Sequence, residues 1–164
     1  MICEKFKMEY HTKLHCIEYD VNEEIICAEE NDKEFIIDNA SLKKIMKIKI
    51  DKCVITKKDK QPRCDYLFID CDDKILYFVE LKGTDILWAI KQIEMTFDKF
   101  DRNTFCIRST SINAYIVTSA KNIPNILSEE ALYLKEILKR SNGRLEIVQT
   151  PYVLTPKAAR RSTS

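Results

Sequence analysis

The sequence predicts an α/β protein in which helices flank a mixed β-sheet. Three observations support this fold class. Strand-like apolar runs fill the first half of the chain, a helix-like period begins after Gly83, and a further strand, helix and strand follow. With 164 residues, 45% of them apolar, the chain is long enough for one hydrophobic core. We expect a single domain over residues 1–156 and a basic, disordered tail over 157–164.

Short predicted strands occupy the beginning of the chain. The runs 13–19, 23–30 and 33–39 have the alternating pattern of strands or a hairpin. Ser41 precedes an apolar stretch and is a candidate N-cap for a short helix over residues 42–46.

The next segment predicts a meander of three strands. Residues 47–56 alternate as a strand, and the polar residues 57–62 predict a turn. Pro62 fits in that turn because proline cannot donate a ladder hydrogen bond. Residues 64–83, CDYLFIDCDDKILYFVELKG, contain two apolar strands joined by the CDDK turn.

After Gly83 the apolar period changes to that of an amphipathic helix. The apolar stripe consists of Ile86, Ile90, Ile93, Phe97 and Phe100. A strand lies within residues 105–120, clearest at 113–120. A second helix is predicted over 124–140, and a last strand over 144–150.

Composition excludes several classes of function. No apolar run is long enough to span a membrane, and the first residues lack the apolar core of a signal peptide, so we expect a cytoplasmic protein with no membrane partner. The chain has only two glycines and contains neither a Walker loop nor a dinucleotide fingerprint. Its net charge of +1 provides no global basic field for nucleic acid, so any DNA contact must come from local clusters.

Seven cysteines are present, and no two have C-x-x-C spacing. Zinc and iron–sulfur sites usually draw on such pairs, so we expect reduced, mostly buried thiols. His11 and His15 have helical spacing next to Cys16, but the strand-like alternation around them argues against a metal site.

Charged residues frame the hairpin of residues 64–83. Asp65 opens its first strand, and Glu80 and Lys82 close its second, on one face by strand alternation. Burying charge is unfavourable unless the charge is paired or binds a metal. If the two strands pair, the carboxylates lie close enough to hold Mg²⁺, and the alternative is a metal-free ion pair in which Lys82 bridges them.

Asp65 with Glu80-Leu81-Lys82 resembles the PD-(D/E)XK nuclease superfamily, which includes many restriction endonucleases and Holliday-junction resolvases. The resemblance covers roughly residues 47–119 and implies a restriction endonuclease-like core. It also implies a helix before the first strand, which the sequence marks poorly. The chain departs from the motif at the proline, which is not adjacent to the aspartate but stands three residues before it, at Pro62.

The resemblance implies a catalytic site that hydrolyses DNA phosphodiester bonds. Asp65, Glu80 and the backbone carbonyl of Leu81 would bind Mg²⁺, with Mn²⁺ as the alternative ion. Lys82 would assist the attacking water. Gln92, on the following helix, would face the site, although Thr96 replaces the tyrosine that some members have four residues later.

Many members of the superfamily add a further acid, and the sequence does not assign it. The candidates are Glu29, Glu30, Glu34 and Asp51.

A basic cluster precedes Asp65 and is a candidate for DNA phosphate contacts. It consists of Lys57, Lys58, Lys60 and Arg63. An ordinary solvated turn is the alternative interpretation. RNA as the substrate is not separable from DNA here, and a homodimer is expected if both strands of a duplex are cut. The alternative function is a noncatalytic interaction or immunity/regulatory module on the same fold.

Overall fold

The structure is a computed structural model, and it describes residues 2–102, 110–123 and 127–156. Within these residues the helices are α1 (Ile2–Glu9), α2 (Ile86–Arg102) and α3 (Glu129–Arg140). The strands are β1 (Ile17–Val21), β2 (Ile25–Glu30), β3 (Lys33–Asp38), β4 (Ile45–Lys49), β5 (Tyr66–Asp70), β6 (Ile75–Lys82), β7 (Ser111–Thr118), β8 (Leu145–Gln149) and β9 (Tyr152–Leu154). Short 3-10 helices cover His11–Cys16 and Lys57–Asp59.

The strands form two sheets. The six-stranded sheet has the order β1-β4-β5-β6-β7-β8 and is mixed, as predicted. Its first four strands pair antiparallel, whereas β6, β7 and β8 run parallel because α2 and α3 provide the crossover connections. The β2–β3 hairpin leaves this sheet and forms a second, three-stranded sheet in which β9 runs parallel to β3.

The six-stranded sheet separates two hydrophobic cores. One core lies between the sheet and the helices and receives Leu67 and Phe78 from the two central strands. The other lies between the two sheets and is built on aromatic side chains, among them Phe35, Phe68 and Tyr115. Because β5 and β6 are covered on both faces, they are apolar almost throughout, as the sequence indicated.

The predicted short helix over residues 42–46 is wrong. Leu42 has a positive φ of 50°, and strand β4 begins at Ile45. The side chains of Ile45 and Met46 are fully buried on opposite faces of the sheet, which a strand between β1 and β5 allows. The predicted strand over 47–56 correspondingly starts earlier and ends at Lys49.

Two other boundaries differ from the prediction. Residues 13–16 form part of a 3-10 helix, and the strand begins only at Ile17. Helix α3 begins at Glu129, where the Ser128 hydroxyl accepts a hydrogen bond from the Ala131 amide. Residues 103–109 and 124–126 lie outside the described residues, as does the predicted tail over 157–164.

The expectation of reduced thiols is wrong for four cysteines. Disulfides join Cys3 to Cys71 and Cys16 to Cys53, with Cα–Cα separations of 5.6 and 5.7 Å. Cys64 has a free, buried thiol. The partners stand 68 and 37 residues apart, so only the tertiary fold brings them together. The first disulfide connects α1 to the turn after β5, and the second connects the first 3-10 helix to the loop after β4.

Within the described part of the chain, none of the helices combines the length and apolar character needed to cross a membrane.

Candidate functional site

The antiparallel pairing of β5 and β6 brings two carboxylates together. Tyr66 pairs with Val79, so Asp65, one residue earlier, lies opposite Glu80. Alternation places Glu80 on the helix-facing side of β6, together with Phe78. The short turn over residues 71–74 connects β5 directly to β6, and its length fixes the register in which Asp65 lies opposite Glu80.

Backbone amides hold both carboxylates in place. The Asp65 amide donates to Glu80 Oε2 at 3.0 Å, and the Leu81 amide donates to Asp65 Oδ2 at 2.9 Å. Each of these bonds engages one oxygen of its carboxyl group. The Leu81 carbonyl is directed toward the same side of β6 as its amide, because both groups of a strand residue face the same neighbour.

Both carboxyl groups are buried, and their pKa values are raised. Asp65 is 6% exposed and Glu80 2% exposed. Burial raises the pKa of Asp65 to about 7, against the Leu81 amide, which stabilises the carboxylate. Burial and the charge of Asp65 raise the pKa of Glu80 to about 9, against the positive charge of Lys82. Two adjacent buried acids therefore lack enough positive charge to keep both ionised.

Lys82 lies on the same face of β6 as Glu80, two residues further along. Its side chain is half-buried, and its charge acts on Glu80 through space. Among the described residues, no ion pair within 4.0 Å connects Lys82 to either carboxylate. The alternative in which Lys82 bridges the two acids directly is therefore not the arrangement found.

A third acid reaches the pair from the second sheet. The Glu30 carboxyl at the end of β2 is within hydrogen-bonding range of Asp65 and raises its pKa. Asp51 also raises that pKa, and its amide is 3.4 Å from the Asp65 carbonyl. Both residues are among the sequence-based candidates for the further acid. The sequence pattern does not single out Glu30, because Glu30 belongs to a different sheet and no local period relates it to Asp65.

Gln92 supports the loop that leads into Asp65. Its side-chain amide donates to the Arg63 carbonyl at 3.0 Å, while its Oε1 atom is buried without a hydrogen-bond partner in the described residues. Thr96, one turn later, accepts a hydrogen bond from the Cys64 amide at 2.8 Å. Gln92 thus acts on Asp65 through the backbone of residues 63–64.

The basic cluster is divided by its contacts. Lys57, Lys58 and Lys60 are exposed and have no ion pair with the described carboxylates. Arg63 instead points to Asp51, with 2.6 Å between Nε and Oδ1, and donates to the Gln61 carbonyl. The three lysines therefore differ from Arg63, whose guanidinium group is already paired with Asp51.

The donor set around Asp65 suits a hard divalent cation. Carboxylate and backbone carbonyl oxygens are the ligands that Mg²⁺ accepts, and Asp65, Glu80 and Leu81 provide them. The raised pKa values of the two acids reflect charge that a bound cation would neutralise. Glu30 and Asp51 add negative charge near Asp65, but the carboxylate oxygens of Asp65, Glu80 and Glu30 do not all lie within 4.8 Å of one another.

A separate group of His15, Cys16 and Cys53 brings three ligand atoms within 4.8 Å of one another. Cys16 and Cys53 are joined in a disulfide, so neither sulfur is a thiolate available to a metal. The helical spacing of His11 and His15 does not create this group, because it is Cys53, from a distant segment, that completes it.

Comparison of the chain with protein-family models, with curated proteins and with solved structures found no match.

Proposed function

We propose that the protein is a Mg²⁺-dependent endonuclease that hydrolyses DNA phosphodiester bonds, built on a restriction endonuclease-like core. One observation carries the proposal. Asp65 and Glu80 face each other in a buried position, accept hydrogen bonds from each other's strand, and form no ion pair with a described lysine or arginine. Two adjacent buried carboxyl groups take up a proton when no cation is near, as their raised pKa values reflect, and a bound divalent cation would keep both ionised; this supports a metal site over a lysine-bridged ion pair.

The order of elements also supports the proposal. The antiparallel meander β4-β5-β6, the helix α2 and the parallel strand β7 follow one another in the order that the sequence patterns predict for residues 47–119, the stretch that the resemblance covers. Helix α1, which precedes the first strand, agrees with the helix expected in that fold, even though the sequence marked it poorly.

The residues of the site have distinct roles in this proposal. Asp65, Glu80 and the Leu81 carbonyl would hold Mg²⁺, which when bound polarises a phosphoryl oxygen and lowers the pKa of water. Lys82 forms no ion pair with the described carboxylates, so its ammonium group is available to orient the attacking water or to stabilise charge on the phosphate. Gln92 positions Asp65 through the loop of residues 63–64.

Cleavage assays with a matched pair of variants test the proposal. Plasmid DNA, branched DNA and single-stranded RNA are incubated with the wild type, Glu80→Gln and Asp70→Asn, with Mg²⁺, with Mn²⁺ and with a chelator. We expect cutting by the wild type and by Asp70→Asn only when metal is present, and none by Glu80→Gln. Cutting that survives Glu80→Gln would exclude this site as its source.

Calorimetric titration of Mg²⁺ into the same proteins distinguishes the proposed nuclease from the alternative, noncatalytic function. Absence of both metal binding and cutting in the wild type would leave the noncatalytic interaction or immunity/regulatory module as the better interpretation. Sedimentation with and without duplex DNA tests the expected homodimer.

A further inference from the structure

A cleft of about 430 Å³ lies beside the loop that precedes Asp65, and neither Asp65 nor Glu80 lines it. It is formed between the first two turns of α2 and the loop that leads into Asp65. Its walls include Asp51, Lys60, Pro62, Arg63, Trp88 and Gln92. Its volume falls in the range of ordinary ligand sites.

The loop is fastened along one face of α2 by side-chain hydrogen bonds. Gln92 contacts the Arg63 carbonyl, Gln61 contacts the Met95 carbonyl at 3.4 Å, and Lys99 pairs with Asp59 at 2.8 Å. Trp88 lies one turn before Gln92, beyond the last of these contacts. The cleft therefore lies at the end of this series of contacts, between the loop and the Trp88 side chain.

Trp88 is exposed although the residues that follow it on the helix are not. Its side chain is 45% exposed, while Ala89 and Ile90 are fully buried in the core between the sheet and the helices. An exposed indole beside a polar cleft offers a flat surface for stacking. Every nucleobase has such a face, so this contact is independent of sequence.

The charges around the cleft suit a phosphodiester backbone. Lys60 is exposed and has no ion pair with the described carboxylates. Arg63 places a positive charge on the wall of the cleft, with its Nε atom 2.6 Å from Asp51 Oδ1. A strand that enters at Lys60 would pass Asp51 and Arg63, both of them neighbours of Asp65.

We propose that this cleft binds one unpaired nucleotide of the substrate strand, with its base stacked on Trp88 and its phosphate near Lys60. The inference rests on the proposed function and narrows its substrate. In a duplex the faces of the bases are covered by neighbouring pairs, so a stacking site selects a strand with an unpaired base. The substrate class is therefore single-stranded nucleic acid or a duplex carrying a flap, loop or branch.

Trp88 is the only tryptophan in the chain, so its fluorescence reports on this cleft directly. The experiment titrates a thymidine oligonucleotide, a uridine oligonucleotide and a blunt-ended duplex of two complementary strands without a loop into the Glu80→Gln protein without metal, which removes cleavage from the measurement. We expect quenching by the single strands at much lower concentration than by the duplex. Equal quenching by the duplex, or no quenching, would overturn the proposal.

A second measurement uses variants whose binding is followed by the anisotropy of a labelled oligonucleotide. Trp88→Ala is expected to weaken binding of the single strand by about 5- to 100-fold, as loss of one stacked base does, and Trp88→Phe less. The matched control is Leu87→Ala, because Leu87 is exposed on the adjacent helix position and does not line the cleft. Unchanged affinity in Trp88→Ala would contradict stacking.

Failure of the inference is distinguishable from failure of the proposed function. Metal-dependent cutting without Trp88 quenching would leave the nuclease intact and remove the nucleotide site. Single-strand quenching without any cutting would retain the site and remove the nuclease. If only a protein partner changed Trp88 fluorescence, the cleft would be an interaction surface and the proposal would be wrong.

Discussion

Strand β5 has a buried acid at each end, and the two have different surroundings. Asp65, just before the strand, faces Glu80 and Glu30, and no ion pair with a described lysine or arginine neutralises it. Asp70, the last residue of the strand, is completely buried and lies 3.6 Å from the Lys43 ammonium, which also pairs with Asp73. The amides of residues 72 and 73 donate to its other oxygen.

The pKa values follow from these surroundings. Burial raises the pKa of both aspartates, but the charge of Lys43 opposes the shift at Asp70, whereas the charges of Glu30 and Asp51 increase it at Asp65. Asp70 therefore has a partner that serves the fold. Asp65 and Glu80 have no such partner among the described residues, so their raised pKa values favour uptake of a proton over two adjacent negative charges. Burial therefore does not by itself distinguish the two acids, whereas the presence or absence of a lysine partner does.

The largest expected effect is on cleavage by Glu80→Gln. The glutamine oxygen can still accept the hydrogen bond from the Asp65 amide, so the variant removes charge and preserves shape. Loss of a group that stabilises the transition state lowers cleavage by about 10³-fold, equivalent to ~4 kcal/mol. Initial rates on plasmid DNA measure this. Asp70→Asn is the control. A similar loss of cleavage in that variant would contradict a catalytic role that is specific to Glu80.

Lys43→Met should produce the largest loss of stability. It leaves the fully buried Asp70 without its cation, and an unpaired buried charge lowers the free energy of unfolding by about 3 kcal/mol. Urea unfolding measures the change. Lys44→Met is the matched control, because Lys44 is half-exposed and its contact with Asp20 is 3.6 Å, so we expect less than about 1 kcal/mol. Equal losses would contradict a structural role for the Lys43 pair.

Glu30→Gln tests whether the second sheet contributes to the site. An outer ligand or supporting acid changes metal affinity and activity by about 10-fold, or ~1.4 kcal/mol. We expect weaker Mg²⁺ binding in calorimetry and a lower cleavage rate. The exposed neighbour Glu29 provides the control variant Glu29→Gln, for which no change is expected. Full activity of Glu30→Gln would restrict the site to β5 and β6.

A separate prediction concerns the pH dependence of thermal stability. Because the folded pKa values of Asp65 and Glu80 are raised, the folded state binds more protons than the unfolded state between pH about 4 and about 9. The stability of the metal-free protein therefore falls as pH rises through that window, and the fall should be smaller in Glu80→Gln.

Added Mg²⁺ replaces those protons, so its stabilising effect should grow with pH. We expect an increase in Tm of about 2–4 °C per kcal/mol of binding free energy, measured by calorimetry with Mg²⁺ and with a chelator. A metal effect that is independent of pH, or one of equal size in Glu80→Gln, would mean that the ion binds elsewhere.

Local patterns predicted the centre of the molecule well. The hairpin of residues 64–83 needs only alternation, a short turn and an antiparallel register, and these place Asp65 opposite Glu80. Helix α2 was equally clear from its apolar stripe. The helix over residues 42–46 was predicted wrongly because capping and periodicity over five residues are weak compared with burial between β1 and β5.

The sequence alone determined the α/β class, the central hairpin, the facing acids and the helix that follows, because each depends on neighbours within about twenty residues. The tertiary structure alone decided that β2 and β3 join β9 in a second sheet, that Cys3 meets Cys71, and that Glu30 rather than Glu34 approaches Asp65. It also distinguished Asp70, which has a lysine partner, from Asp65, which has none among the described residues. Those outcomes depend on packing between segments that are far apart in the sequence. A local periodic pattern carries no information about which distant side chain packs against a given carboxylate.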